Sequence, residues 1–92
     1  MKVDSHAVAR LRERWPSSRA SSNEKIEQFL VGCVHAAKED VVHAPGGDYY
    51  PFTCADQSGY IVVVDEQVKT VMPSKWCPEV EEIHERRRRK DG

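Results

Sequence analysis

The hydrophobic pattern of this 92-residue chain changes its period once, after about residue 38, and this change limits the folds open to it. Before that point apolar residues recur at helical spacing, most clearly at Ile26, Phe29, Leu30, Cys33 and Val34. After it come short apolar runs separated by turn residues, and Tyr60–Val64 (YIVVV) is the strongest strand signal among them. Two helices followed by closely connected strands favour an α+β domain with an antiparallel meander.

The first helix is predicted over Ser5–Arg14 (SHAVARLRER), with its cap at Asp4 or Ser5. It ends before Pro16, because the residue that precedes a proline disfavours the α region. Its apolar side chains share one face, which the helix can bury. They are Ala7, Val8, Leu11 and Trp15.

The second helix is predicted to begin at a capping box formed by Ser21 and Glu24. Its end is left open by the sequence. Gly32 is a residue type that often ends helices, but the pattern also allows the helix to continue to about Lys38.

Strands are predicted at Tyr60–Val64 and Val68–Met72, and a C-terminal helix at Pro78–Lys90. Val41–His43 is a candidate for a further short strand, and Tyr49–Ala55 is an aromatic segment of mixed pattern. The C-terminal helix has a proline in its first turn, glutamates early and arginines late, an order that suits the helix dipole. The predicted fold is therefore α+β. Two N-terminal helices pack on a three- to four-stranded antiparallel sheet, and a third helix follows.

Length and composition predict one domain over residues 1–92, with an α+β core at 1–77 and a helix with a basic tail at 78–92. No apolar run reaches the roughly 18–20 residues that span a bilayer, so no membrane partner is expected. The N-terminus lacks the pattern of a signal peptide, and a cytoplasmic protein is therefore expected. The three cysteines are irregularly spaced, which argues against a secreted disulfide framework.

The net charge of −1 conceals an uneven distribution. Residues 1–20 hold five Lys/Arg against two Asp/Glu, residues 21–72 hold three against eight, and residues 73–92 hold six against five. A simple electrostatic nucleic-acid binder would be basic throughout. Any polyanion site would therefore be local and built by the first helix, with the C-terminal tail as a possible second contributor.

Ionisable side chains share the other face of the first helix, at i, i+4, i+7 and i+8: His6, Arg10, Glu13 and Arg14. An imidazole exchanges protons near neutral pH, and guanidiniums bind phosphate. Metal-free RNA cleavage through the 2′-hydroxyl needs such a proton carrier and such positive charge. The alternative is a solvated Arg/Glu face with a surface histidine. Glu13 acts either as a base or as the group that orients Arg10.

Thr70, Ser74 and Lys75 lie on or just after the last predicted strand. They are candidates for a second catalytic group and for a substrate contact. Their alternative role is that of ordinary strand and turn residues. Tyr49 is a candidate for stacking on an unpaired base, and Tyr50 would then point to the other face of the sheet.

The basic tail, Arg86–Lys90, is open to three interpretations. Arg86 and Arg87 are candidates for contacts with RNA phosphates, or with an acidic partner. Alternatively, pairs at i, i+4 with Glu82 and Glu85 neutralise the tail.

No metal site and no cofactor are predicted. The sequence has no Cys-x-x-Cys pair, and Cys33-x-His35 is not a usual ligand spacing. Cys33 is better explained as a core residue on the apolar face of the second helix.

The string His6-Ala7-x-x-Arg10-x-x-Glu13-Arg14 resembles the opening of a family of small uncharacterised bacterial proteins. In that family a second amphipathic helix, a Gly-x-Val and a strand pair with a late threonine follow. This chain has Asn23–Val31, Gly32-Cys33-Val34, YIVVV and Val68–Val71 in the same order, so the resemblance covers roughly residues 5–73. Those proteins are similar to the barnase, EndoU, colicin and RelE-like ribonuclease-toxin fold.

The resemblance implies metal-independent cleavage of RNA. The implied catalytic groups are His6, Arg10 and Arg14, assisted by Thr70 or Lys75 from the end of the sheet. A neutralising antitoxin or immunity protein is then an expected partner. The alternative function is that of a small, non-enzymatic phage- or plasmid-type protein that binds and inhibits a host protein through its charged helices, and the acidic middle of the chain favours it. The sequence leaves the oligomeric state open.

Overall fold

A computed structural model describes the backbone of residues 1–91 and the side chains of residues 1–89, and it has α-helices on both faces of a five-stranded sheet. Three short 3-10 turns lie at Pro16–Ser18, Lys38–Asp40 and Ser74–Trp76. Lys90, the last residue of the predicted basic tail, lies beyond the described side chains. The helices and strands are β1 (Lys2–Val3), α1 (Ser5–Arg14), α2 (Asn23–Ala36), β2 (Val42–Ala44), β3 (Gly47–Cys54), β4 (Gln57–Val64), β5 (Gln67–Pro73) and α3 (Pro78–Asp91).

Helix α1 has the predicted bounds. The Asp4 side chain accepts a hydrogen bond from the His6 N–H at 2.9 Å and is therefore the N-cap. The helix ends at Arg14, ahead of Pro16. The predicted apolar face is confirmed, because all four of its side chains are buried: Ala7, Val8, Leu11 and Trp15.

Helix α2 begins one residue later than its predicted capping box implies. The N-cap is Ser22, whose hydroxyl accepts the Lys25 N–H at 3.3 Å, and the predicted cap at Ser21 is wrong. The helix passes Gly32 and ends at Ala36. Val34 explains why it continues, since this side chain is buried in the core and lies beyond the glycine.

The sheet has the strand order β1-β5-β4-β3-β2. Strands β2 to β5 form the predicted antiparallel meander, and β4, which contains YIVVV, is the central strand. The predicted three- to four-stranded, purely antiparallel sheet is wrong, because β1 adds a fifth strand that is parallel to β5. The chain thus begins with a strand and not with a helix. Two residues are too few to produce an alternating pattern, so β1 has no sequence signal.

Two-residue turns at Ala55-Asp56 and Asp65-Glu66 connect the three long strands, and all four of these residues have positive φ. This is the geometry of tight hairpin turns. Gly59 lies inside β4. It is required there because a Cβ at this position would lie 2.5 Å from Cζ2 of Trp15.

The two faces of the sheet carry separate hydrophobic clusters. Helices α1 and α2 cover one face, where the indole of Trp15 packs against Phe52 with ring centroids 5.0 Å apart. Cys33, predicted as a core residue, packs against this cluster. Helix α3 folds back on the other face, where Val80 packs with Tyr60. As predicted, Tyr50 and Tyr49 point to opposite faces, and Tyr49 lies on the α3 face.

Candidate functional site

The ionisable face of α1 forms a connected group of side chains at the surface. Arg10 Nε donates to His6 Nε2 at 3.3 Å, and Arg10 Nη1 donates to Glu13 Oε2 at 2.7 Å. The contact with Arg10 requires an unprotonated Nε2, so in this arrangement the neutral imidazole carries its proton on Nδ1. Exposed pairs of this kind contribute at most about 1 kcal/mol, and the His6 ring can therefore leave Arg10 at low cost.

Arg14 connects α1 to the edge of the sheet. Its Nη1 donates to the Val71 carbonyl at 2.5 Å, and its guanidinium carbon lies 4.5 Å from the centre of the Trp76 ring. Its Nε is buried and has no hydrogen-bond partner within the described part of the chain. Burial lowers the pKa of Arg14, and the neighbouring charge of Arg10 lowers it further, against an opposing contribution from Glu13. Arg14 is thus a cation held in a fixed orientation beside a second cation.

Trp76 completes this surface, and sequence analysis did not identify it. The indole lies in the Ser74–Trp76 turn after β5 and is 52% exposed. A single tryptophan after a proline that closes a strand has no periodic signal. We call His6, Arg10, Arg14 and Trp76 the α1 row. In it the imidazole contacts Arg10, the aromatic ring contacts Arg14, and the charge of Arg10 lies close enough to lower the pKa of Arg14.

The structure does not bring Thr70 to the α1 row. Thr70 pairs with Val62, and it lies on the face of β5 opposite Val71, whose side chain packs under α1. The cause is a β-bulge, because the β4–β5 register shifts between Val62 and Val63 and leaves Lys69 as an extra residue. Strict alternation from Val68, which also faces α1, would have placed Thr70 toward the helix.

The other predicted contact residues lie in three places. Lys75 is exposed beside Trp76 in the same turn. Tyr49 is partly buried on the α3 face, and burial raises the pKa of its hydroxyl. Arg86 pairs with Glu82 at 2.6 Å, and Arg87 donates to the Val41 carbonyl. These two arginines therefore make contacts within the chain and lie away from the α1 row.

A groove of about 400 Å³ lies on the α3 face, between α3, the Ser74–Trp76 turn and the β2–β3 loop. Its wall is mainly apolar, and Glu79 is the one Asp, Glu, Lys or Arg residue that lines it within the described part of the chain. Trp76 belongs both to this groove and to the α1 row. The apolar and aromatic lining includes Pro45, Tyr49, Met72, Trp76, Val80 and Ile83.

A polar cluster under α3 was not predicted as a unit. The Tyr60 hydroxyl donates to the Glu81 carboxylate and lies 3.5 Å from Nδ1 of His84. Burial raises the pKa of Tyr60 far above its ordinary value, and the bond to Glu81 raises it further. The cluster holds α3 on the sheet and thereby positions one wall of the groove.

Within the residues whose side chains are described, no three His, Cys, Asp or Glu side chains lie close enough together to bind one metal ion. In the same part of the chain, no helix is both long enough and apolar enough to cross a lipid bilayer. Comparison with protein-family models, with curated proteins and with solved structures gave no significant match.

Proposed function

We propose that this protein is a ribonuclease-toxin-like protein that cleaves RNA without a metal ion, in the cytoplasm, and that the α1 row is its site. One observation carries the proposal. An exposed imidazole contacts a first guanidinium at 3.3 Å, and a second guanidinium beside it stacks on an exposed indole. The guanidiniums can bind phosphate, the indole can stack on a base, and the imidazole can transfer a proton.

His6 is the proton-transfer group of this proposal. In such a reaction the 2′-hydroxyl loses its proton and attacks the adjacent phosphorus, the bond to the 5′-oxygen breaks, and that oxygen gains a proton. The products are a 2′,3′-cyclic phosphate and a 5′-hydroxyl. His6 serves one of the two proton transfers. Lys75 is the candidate for assisting, because it lies beside Trp76, whereas Thr70 is on the opposite face of β5.

Arg10 and Arg14 are the phosphate-binding groups. The charge that develops on the phosphate is stabilised best by donors that are already oriented. The Val71 carbonyl and the Trp76 ring orient the Arg14 guanidinium before any ligand arrives. Glu13 orients Arg10 through its 2.7 Å ion pair and has no proposed role in proton transfer.

The order of elements supports the proposal as well. Two helices packed on one face of antiparallel strands is the arrangement that the family resemblance implies. A ribonuclease of this kind would damage the RNA of its own host cell if it were not controlled. The proposal therefore includes a partner protein that neutralises it.

The test is cleavage of total RNA by purified protein in the presence of EDTA. Wild type is compared with His6→Ala and with a matched control, His35→Ala, which removes an exposed histidine on α2. Loss of a general acid or base lowers rates by about 10²- to 10⁴-fold, so we expect that loss for His6→Ala alone. Equal cleavage by wild type and His6→Ala, or no cleavage by wild type, would refute the proposal.

A second candidate function is inhibition of a host protein by binding, as a small phage- or plasmid-type protein. The observation that favours it is Ile83, which is 37% exposed on α3 beside the exposed arginines 86–89. Expression in host cells separates the two functions. A ribonuclease loses its effect on growth in His6→Ala, whereas an inhibitor that uses α3 keeps it in His6→Ala and loses it in Ile83→Asp.

A further inference from the structure

We infer that the groove on the α3 face is a nucleobase pocket that continues the α1 row, and that the ligand is single-stranded RNA with an unpaired base stacked on Trp76. This inference rests on the proposed function and names its substrate class. The assignment comes from the position of Trp76, which contacts Arg14 with its ring and also lines the groove.

Trp76 has the properties of a stacking platform. Its indole is 52% exposed, although large aromatic side chains are usually covered in a small domain. The Arg14 guanidinium holds the ring at 4.5 Å, so little rotational freedom remains to be lost when a base stacks on it. Every base has a π face, and an unpaired base is free to stack on the ring.

The groove has a suitable size and chemistry for a base. Its volume of about 400 Å³ lies within the range of roughly 300–1,000 Å³ that is typical of small-molecule sites. Met72 and Pro45 line the groove as apolar residues, and Tyr49 and Glu79 line it as residues whose side chains carry polar groups suited to a base edge. A base needs this combination, because its faces are apolar and its edges form hydrogen bonds.

Charge decides between RNA and an apolar protein segment as the occupant. Arg14 contacts the Trp76 ring, and Arg10 lies close enough to Arg14 to lower its pKa. A phosphate that follows a base stacked on Trp76 would meet the positive charge of Arg14, whereas an uncharged peptide segment would make no use of that charge. The aromatic ring between a groove and a row of cations therefore matches a nucleotide.

Binding is measured by fluorescence polarisation of a labelled 2′-O-methyl RNA oligonucleotide, which lacks the attacking hydroxyl and so is not cleaved. The same strand without bases, and the same strand in a duplex, are the ligand controls. We expect the intact single strand to bind at least about 10-fold more tightly than either control, since stacking of a base is worth roughly 5- to 100-fold in affinity.

Trp76→Ala should weaken this binding by about 10- to 100-fold, and Trp76→Phe should restore most of it, because the smaller ring still stacks. Phe29→Leu, which alters a partly exposed aromatic residue on α2, should bind as wild type does. Circular dichroism melting of each variant shows whether it is folded. Unchanged affinity of folded Trp76→Ala, or equal affinity for the strand without bases, would overturn the inference.

An error in the proposed pocket and an error in the proposed cleavage mechanism would give different experimental results. If the oligonucleotide binds in a Trp76-dependent manner but His6→Ala and wild type cleave RNA equally, the pocket is correct and the catalytic assignment is wrong. If His6 is required for cleavage but Trp76→Ala neither binds more weakly nor cleaves more slowly, the pocket is wrong. Absence of oligonucleotide binding by wild type overturns the pocket.

Discussion

Two glycine-to-alanine substitutions should change stability in opposite directions, and the comparison tests how α1 is fixed to the sheet. In Gly59→Ala the new Cβ lies 2.5 Å from the Trp15 ring and 2.6 Å from the Met72 carbonyl oxygen. The carbonyl is backbone and cannot rotate away. Trp15 is fully buried, and its Nε1 donates to the Gln57 carbonyl at 3.2 Å, so the ring moves only by losing this bond.

The expected cost of Gly59→Ala combines two contributions. Overpacking a core costs about 1–3 kcal/mol, and loss of the indole hydrogen bond adds about 1 kcal/mol. The sum of about 2–4 kcal/mol is a large part of the roughly 5–14 kcal/mol that a domain of this size has in total. The melting temperature should fall by about 10–25 °C. Because Arg14 directly precedes Trp15, displacement of the indole should also displace Arg14, and the rate of RNA cleavage should fall as well.

Gly32→Ala is the matched control, because nothing lies within 4 Å of its added Cβ and the residue is exposed inside α2. Alanine favours the helix by about 1 kcal/mol, so this variant should be more stable than wild type. Urea unfolding followed by circular dichroism measures both variants. A midpoint for Gly59→Ala equal to or above that of wild type, at an unchanged slope, would refute the packing argument.

Three further predictions concern the cap of α2, the buried hydroxyl of Tyr60 and the guanidinium of Arg14. Ser22→Ala should lower the free energy of unfolding in urea by about 1 kcal/mol and Ser21→Ala by much less, because the Ser22 hydroxyl caps α2. Equal losses in the two variants would contradict the assigned cap. The pKa of Tyr60 is raised in the folded protein, so the contribution of its neutral hydroxyl to stability is complete below pH 10 and is lost above pH 10 by about 1.4 kcal/mol per pH unit. The urea midpoint should therefore decline less steeply between pH 10 and 11 in Tyr60→Phe than in wild type. Identical declines would refute the role of the buried hydroxyl. Arg14→Lys keeps the positive charge but loses the stacking of the planar group on Trp76 and the oriented hydrogen bond to the Val71 carbonyl. RNA cleavage should therefore fall by about 5- to 100-fold. Cleavage at the wild-type rate would contradict the role of the guanidinium.

The helices and the long strands were predictable because their signals are local. The apolar face of α1, the proline that ends it and the alternation in β4 each lie within a few consecutive residues. The adjacency of His6 and Arg10 follows from helical spacing in the same way. Fold class and the first half of the candidate site could therefore be predicted from the sequence.

The remaining features depend on contacts between distant parts of the chain. β1 exists only because α1 and the start of β5 bring Val3 beside Val68. Thr70 changes faces because of a bulge, and no local pattern marks the extra residue at Lys69. Trp76 joins Arg14 from the far end of β5, 62 positions later in the chain. Such features need the assembled sheet before they can be identified.

In the proposed reaction His6 transfers a proton during metal-free cleavage, and the attacking group is the 2′-hydroxyl of the ribose next to the cut. The most direct measurement uses a DNA oligonucleotide that contains a single ribonucleotide, with EDTA present and the products identified by mass spectrometry. We expect one cut, after the ribonucleotide, with a 2′,3′-cyclic phosphate end, and a rate at least about 100-fold lower for His6→Ala than for wild type and for His35→Ala. No cut by wild type, or equal rates for wild type and His6→Ala, would contradict the proposed reaction.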